Sequence, residues 1–179
     1  MTKRVLFLMS DTGGGHRAAA EAIRDALLRR YGPDQVTTEF VDVFRESHFP
    51  LNYMPEFYPW LINRSKASWG AGYSWSNSRR RVEMLSRTMY MANARSFKRI
   101  VRDNPADVVV CVHSVIQRPT LQAFSRNGWR PPYVTVVTDL VSTHAFWYDK
   151  RVDQCLVPTQ RAYDRGLETG LPVDKLRIT

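Results

Sequence analysis

The chain alternates short apolar runs with longer segments of helical periodicity. Val5–Met9 is a continuous apolar run. Apolar residues then recur every three or four positions, at Ala19, Ile23, Ala26, Leu27 and Tyr31. The same alternation predicts further strands over 36–43, 107–112, 133–138, 152–157 and 176–178, and further helices over about 79–102, 116–126 and 159–170. Strands that alternate with helices form a parallel sheet with right-handed crossovers, so we expect a single α/β domain.

The turn between the first strand and the first helix is the most informative part of the chain. Three consecutive glycines, Gly13, Gly14 and Gly15, precede His16 there. Glycines at the carboxyl end of a strand let the backbone approach a ligand closely, with the positive end of a helix behind them. An imidazole in that place can act as a general base near neutral pH. This turn predicts a ligand site with His16 as candidate base.

Two other interpretations of the same turn remain open. The pattern Gly13-x-Gly15-x-x-Ala18 fits a loose form of the dinucleotide-binding fingerprint, and Asp42 follows near the end of the next apolar run. That carboxylate would bind a ribose in a nicotinamide- or flavin-dependent enzyme, although this interpretation gives His16 no role. The glycines also fit a structural turn that binds nothing.

A second region, over about 48–100, combines aromatic and basic residues. Its first part contains Phe49, Tyr53, Phe57, Tyr58, Trp60, Trp69, Tyr73 and Trp75, and its helix begins with Arg79, Arg80 and Arg81. Tyrosine and tryptophan favour the bilayer interface, and clustered cations are attracted to anionic headgroups by about 1 kcal/mol each. We expect these residues to form a peripheral membrane surface.

The same region allows two alternatives. Aromatic and basic side chains also bind single-stranded nucleic acid, and the aromatic residues would otherwise be core, with a solvated start to the following helix. The prolines and glycines of the aromatic segment favour the membrane interpretation, because they predict loops that pack poorly as core. They are Pro50, Pro55, Pro59, Gly70 and Gly72.

Polar residues also follow two later strands. Asp139 comes directly after the strand that begins at Tyr133, with His144 and Trp147 close behind, and His113 follows the strand over 107–112. The carboxyl ends of parallel strands meet at one edge of the sheet, so these side chains should face the glycine turn. Asp139 would orient an imidazole or position a hydroxyl, whereas the alternative is a helix cap. His113 is equally compatible with a buried core histidine.

Composition narrows the class of protein. Lys and Arg number 26 against 17 acidic residues, a net charge of +9, which favours an anionic partner: nucleic acid, membrane or phosphate. Cys111 and Cys155 each lie in an apolar run, so we expect reduced core thiols and no metal site. No apolar run reaches the roughly 18 residues of a membrane span, and the short apolar stretch after Lys3 and Arg4 does not suit a signal peptide.

The three clusters, in this order, resemble one family. The segment Ser10–Arg17 with Ala20–Ala22 is similar to the N-terminal signature of the diacylglycerol glycosyltransferases: the monogalactosyldiacylglycerol synthases of plants and the processive glucosyltransferases of bacteria. His113 with Gln117, and the run 138–147, resemble further motifs of that family. The resemblance extends from about Arg4 to Thr179. Ser114 and Arg118 depart from it, since plant members more often carry Pro and His there.

The resemblance implies a GT-B glycosyltransferase, of which residues 1–179 are the N-terminal, Rossmann-like acceptor domain. A C-terminal domain outside this chain would bind UDP-glucose or UDP-galactose, with no metal or other cofactor. Transfer to diacylglycerol would proceed by single displacement with inversion. The protein would then lie peripherally on the cytoplasmic face of the cell membrane, on an anionic lipid surface and without nucleic acid.

The resemblance also implies roles for single residues. His16 would remove the proton of the acceptor hydroxyl, with Asp139 as the reserve base or the group that orients His16. The expected substrate contacts are Gly13, Gly14, Gly15, His113, His144 and Trp147. The backbone amides of Gly14 and Gly15 would lie beside the sugar diphosphate.

Overall fold

The computed structural model describes residues 1–12, 14–64, 66–128 and 130–179. The side chains of residues 59, 61–63 and 66–69 also lie outside the description, and with them the predictions made for Gly13 and for the side chain of Trp69. The strands are β1 Lys3–Met9, β2 Val36–Asp42, β3 Val108–Cys111, β4 Tyr133–Val136, β5 Gln154–Val157 and β6 Leu176–Ile178. The helices are α1 Gly14–Tyr31, α2 Met54–Arg64, α3 Lys66–Ser76, α4 Arg79–Asp103, α5 Ser114–Arg126 and α6 Gln160–Glu168.

All described strand pairs are parallel, in the order β2-β1-β3-β4-β5-β6. This confirms the predicted α/β fold. The order reverses at β1: the chain places β2 on one side of β1 and returns to place β3 on the other. Loops leaving β1 and β3 therefore diverge at the carboxyl edge, and the crevice between them is where such sheets bind ligands.

Both faces of the sheet are covered, which explains the continuous apolar sequence of its strands. Successive residues of a strand point to opposite faces. Leu6 and Leu8 pack in the larger core with α4 and α5, whereas Phe7 and Met9 pack with Ala20 of α1 on the other face. Cys111 and Cys155 are free, fully buried thiols, as predicted.

The prediction of loops in the aromatic segment is wrong, because residues 54–64 and 66–76 form α2 and α3. Pro55 occupies the first turn of α2, where a missing N–H removes no helical hydrogen bond. Gly70 and Gly72 lie within α3, whose C-terminal half is held against the sheet edge by tertiary contacts. Tyr73 donates to the carbonyl of Ser142, and Ser76 Oγ lies 3.1 Å from His144 Nε2.

A pair of glycine-to-alanine substitutions tests the packing at the end of the sheet. A Cβ added at Gly166 would lie 2.9 Å from the methyl carbons of Leu176 and 3.1 Å from the Tyr148 ring, whereas nothing lies within 4 Å at Gly72. Gly166→Ala should therefore lower the free energy of unfolding by about 1–3 kcal/mol through overpacking. Gly72→Ala should raise it by about 0.4–1 kcal/mol, since alanine restricts the unfolded chain. Urea unfolding measures both, and shifts of the same sign would contradict this account.

Candidate active site

The largest described cavity, about 720 Å³ in volume, opens at the carboxyl edge of the sheet beside the reversal between β1 and β3. The loops after β1, β3 and β4 and the first turns of α1 and α5 supply its polar wall: Thr12, His16, His113, Ser114, Asp139, Ser142 and His144. Helices α2, α3 and α4 and nearby loops supply apolar and aromatic residues: Phe44, Leu51, Met54, Tyr58, Tyr73, Met89 and Phe146. The structure thus gathers the predicted histidines and Asp139 around one site. A mostly apolar cavity with few convergent polar groups is typical of small-molecule sites.

His16 is held in one tautomer by the backbone of Val112, the residue that follows β3. Its Nδ1 lies 2.8 Å from the carbonyl oxygen of Val112 and 3.2 Å from Thr138 Oγ1. A carbonyl oxygen only accepts, so Nδ1 carries the proton and Nε2 keeps the lone pair. Burial lowers the pKa of His16, although the Val112 hydrogen bond and the charge of Asp139 act in the opposite direction. The side chain is therefore a neutral imidazole with a basic Nε2 at neutral pH.

His113 lies behind His16, with the two ring centroids 4.4 Å apart. Its Nε2 is 3.1 Å from Thr12 Oγ1, while the buried Nδ1 has no partner among the described residues. Burial and the neighbouring His16 ring hold the pKa of His113 well below its ordinary value. His113 is thus both buried and part of the cavity wall, which combines the two interpretations that its sequence position allowed.

Asp139 is positioned by Trp147. The indole Nε1 donates to Asp139 Oδ2 over 2.7 Å, and the Trp147 ring is buried behind the cavity, 6.3 Å from the His16 ring. Gln117 of α5 donates to the Trp147 carbonyl and accepts from Thr135 of β4. The hydrogen bonds that orient His16 come from Val112 and Thr138, and Asp139 acts on it through charge.

Both ring nitrogens of His144 are engaged within the protein. Nδ1 accepts from the Phe146 amide, and Nε2 lies 3.1 Å from Ser76 Oγ and 3.3 Å from the Tyr73 carbonyl. Burial lowers the pKa of this imidazole. The Tyr73 ring packs edge-on against it at 4.7 Å. His144 therefore fastens α3 over the cavity, and sequence spacing gave no signal for this contact or for the half-buried Tyr58 and Tyr73 in the lining.

The glycine turn is braced by two aspartates. Asp11 binds the Arg17 guanidinium through two 2.8 Å hydrogen bonds, which lower the pKa of Asp11. The Asp42 carboxylate accepts from the backbone amides of Asp11, Phe44 and Arg45. It is thus engaged in joining the ends of β1 and β2, which disfavours a ribose-binding role. Gly14 and Gly15 are exposed, with open space where a side chain would be.

The predicted membrane residues divide between surface and cavity. Phe49, Tyr53, Phe57, Trp60 and Trp75 are exposed, Phe49 by 77% and the others by 47–60%. Tyr58 is half-buried in the cavity wall. Arg80 is exposed, Arg79 pairs with Glu83, and the Arg81 guanidinium stacks over Trp75 at 4.9 Å. The exposed aromatic residues are therefore not core.

The described residues contain neither a helix that could span a membrane nor a cluster that could bind a metal ion. No helix in this part of the chain is both long and apolar enough to span a bilayer. No three His, Cys, Asp or Glu side chains within the described ranges are arranged to bind a metal ion.

The chain is similar in sequence to one described family and to members of it. The profile of the family described as Monogalactosyldiacylglycerol (MGDG) synthase matches residues 16–179. A probable monogalactosyldiacylglycerol synthase 2 from rice (Oryza sativa subsp. indica) is 34% identical over 180 residues, covering 98% of this chain and 38% of that protein. A probable synthase from tobacco (Nicotiana tabacum) is 32% identical over 183 residues, covering 98% and 33%. The chain therefore spans little more than a third of the length of these curated relatives.

One solved structure with the same fold is the apo form of the lipopolysaccharide outer core galactosyltransferase WaaB. It superimposes with a TM-score of 0.52 at 12% identity, covering 97% of this chain and 44% of that one. The likeness concerns the fold, and with the sheet order it confirms the predicted Rossmann-like parallel sheet flanked by helices.

The buried histidines make stability depend on pH in a defined direction. Unfolded imidazoles take up protons below about pH 6.5, whereas His16, His113 and His144 have lowered folded-state pKa values. The free energy of unfolding is therefore highest, as far as these imidazoles contribute, above about pH 6.5. It decreases as the pH falls from there towards the lowered folded-state pKa values. His113→Gln should lose less free energy of unfolding than wild type between about pH 7.5 and about pH 5.5.

Urea unfolding at the two pH values measures this difference. His48→Gln, which alters an exposed histidine, is the matched control and should behave as wild type. An acid loss in His113→Gln as large as in wild type would mean that the buried ring does not set the pH dependence.

Proposed function

Because the chain belongs to the monogalactosyldiacylglycerol synthase family, we propose that it is the acceptor-binding part of an enzyme that transfers a hexose from a UDP-sugar to diacylglycerol. The observation that carries this proposal is the placement of His16. It presents a basic Nε2 at the wall of a mostly apolar cavity, directly beside the reversal of the sheet. The names of the relatives favour galactose as the sugar. The UDP-sugar binds mainly to a second domain, which the rest of a full-length relative would supply.

The proposed chemistry is a single displacement. His16 Nε2 takes the proton of the diacylglycerol hydroxyl as that oxygen attacks the anomeric carbon, while the bond to UDP breaks on the opposite face and configuration inverts. Asp139 stabilises the resulting imidazolium through its negative charge, which raises the pKa of His16 against the effect of burial. A positioned general base of this kind contributes roughly 10²–10⁴ in rate. Asp139 is also the reserve candidate for the base.

The cavity suits a lipid acceptor. Apolar side chains from α2, α4 and the loops, such as Met54, Met89 and Phe44, form one wall, and the polar groups cluster at the sheet edge. Acyl chains lie along the apolar wall, and the glycerol hydroxyl meets His16. His113, which also lines this cavity, is the proposed contact for a glycerol oxygen.

The lipid enters from a membrane surface. Among the exposed aromatic residues, Trp75 of α3 packs against the Arg81 guanidinium and Trp60 of α2 against that of Arg64, and Arg80 is exposed. Aromatic side chains insert at the headgroup level, and the arginines bind anionic lipid. The protein then acts as a peripheral membrane enzyme, and we extend the proposal to the cytoplasmic face of the cell membrane.

Two alternatives are less well supported. An oxidoreductase would need a ribose-binding carboxylate after β2, and Asp42 is engaged by three backbone amides instead. A non-catalytic membrane module would need no fixed imidazole tautomer, and it gives the His16–Val112 hydrogen bond no purpose.

Substitution of His16 tests the catalytic assignment. In the full-length enzyme, His16→Ala should lower kcat for transfer to diacylglycerol by roughly 10²–10⁴, because the hydroxyl loses its base. Radiolabelled sugar transfer in detergent-dispersed diacylglycerol measures the rate. His48→Ala is the control and should retain wild-type turnover. Near-normal turnover by His16→Ala would remove His16 from the mechanism and transfer the assignment to Asp139.

A tyrosine pair tests the membrane surface. Tyr53 and Tyr31 are both exposed, by 60% and 45%, but Tyr31 ends α1 at the opposite, amino edge of the sheet. Tyr53→Ala should weaken co-sedimentation with phosphatidylglycerol vesicles, and Tyr31→Ala should not. The wild-type protein should bind phosphatidylglycerol vesicles more strongly than neutral vesicles, and this binding should weaken as the salt concentration rises. Equal binding to both lipids at every salt concentration would contradict the electrostatic part.

A further inference from the structure

A second cavity, about 430 Å³ in volume, lies between α4, α5 and the loop that precedes β5, and it shares no described lining residue with the active-site cavity. Its wall carries five cationic side chains: Arg79, Arg87, Arg118, Lys150 and Arg151. Only Glu83 and Asp149 are acidic among the described residues that line it. The proposed reaction uses none of these groups.

The two carboxylates do not neutralise the cations. Asp149 is shared between Arg151, at 2.8 Å, and Arg118, at 3.4 Å. Glu83 pairs with Arg79 at 3.1 Å and lies 4.0 Å from Arg118. Within the described part of the chain, neither Arg87 nor Lys150 has a carboxylate partner. The cavity therefore keeps an excess of positive charge.

The cations converge although like charges repel. A Cβ built on Gly170 would lie 3.4 Å from Lys150 Nζ and 3.7 Å from Arg79 Nη1, so an ammonium and a guanidinium both lie within 4 Å of one point beside the cavity. Without a counter-ion this arrangement is electrostatically unfavourable. An anion between them removes the repulsion.

Two buried polar atoms in the wall also lack partners. Ser86 is 5% exposed, and its Oγ makes no hydrogen bond within the described residues. The same holds for Nε of Arg118, whose side chain is 11% exposed and whose Nη2 donates to the Tyr148 carbonyl. Buried polar groups are normally satisfied, and a bound anion is one partner that would satisfy these two. A hydroxyl and a guanidinium N–H both donate to an oxyanion.

We propose that this cavity binds a phosphate group, carried either by a soluble phosphorylated compound or by a lipid headgroup. Donors reach it from α4, α5 and the 148–151 loop, three directions that suit the several oxygens of a phosphate. Its charge matches the excess of cations better than a single carboxylate does.

Isothermal titration with inorganic phosphate, at constant ionic strength and with chloride as the reference anion, tests the site. The protein should bind one phosphate saturably. Lys150→Gln and Arg87→Gln each remove one charge-assisted hydrogen bond and should raise the Kd about tenfold or more. Ser86→Ala should raise it by a smaller factor.

Lys98→Gln and Arg95→Gln are the matched controls, since they remove the same charge from exposed positions of α4 outside the cavity. Their Kd should equal that of wild type. Absence of saturable phosphate binding, or an equal loss of affinity in the controls, would overturn the proposal. Neither readout involves glycosyl transfer, so the outcome is independent of the function proposed above.

Vesicles distinguish the two sources of phosphate. If the lipid headgroup occupies the cavity, phosphatidylglycerol vesicles should raise the apparent Kd of inorganic phosphate, and Lys150→Gln should abolish that competition. If the natural ligand is soluble, the vesicles should leave the phosphate Kd unchanged. Either result, together with saturable binding, supports the phosphate site. The result also shows whether the phosphate comes from a lipid headgroup or from a soluble compound.

Discussion

One hydrogen bond, between His16 Nδ1 and the carbonyl oxygen of Val112, connects the two structural units on which the site depends. β1 and β3 are neighbours, but α1 and α5 leave them towards opposite faces of the sheet. The carboxyl edge therefore opens at that point. The hydrogen bond crosses the opening and fixes both the direction and the tautomer of the imidazole.

Exclusion of water from the cavity at this opening conflicts with the basicity that proton transfer would require of His16. A cavity for a lipid must exclude water, and that exclusion lowers the pKa of His16, as it does for His113 and His144. A weaker base is easier to keep neutral but takes a proton less readily. The Val112 carbonyl and the charge of Asp139 both favour protonation of His16. His113 has no such support, so we propose proton transfer for His16 rather than for the neighbouring, tilted His113 ring.

The sequence was informative where structure follows from local pattern. The six strands and the helices α1, α4, α5 and α6 correspond to continuous apolar runs and helical periodicity, with ends displaced by a few residues. α2 and α3 were not predicted, because their prolines and glycines suggest loops and their stability comes from distant contacts such as Tyr73 with Ser142. The convergence of His16, His113 and Asp139 was predictable from strand ends alone. The Thr12–His113 contact joins residues 101 positions apart and leaves no mark on local spacing.

The position of Asp139 depends on the buried, uncharged side-chain amide of Gln117, which is not among the residues that line the active-site cavity. Gln117 fastens the Trp147 carbonyl to α5 and Thr135 to the same side chain, and Trp147 in turn holds the carboxylate. Leaving such a buried group unpaired costs about 1–3 kcal/mol. The positions of Gln117, Trp147 and Asp139 are therefore coupled. The loop after β4 also separates the two cavities: His144 and Phe146 line the first, and Tyr148 and Asp149 line the second. A single anchored loop thus positions the charge beside the proposed base and the backbone carbonyl that binds Arg118.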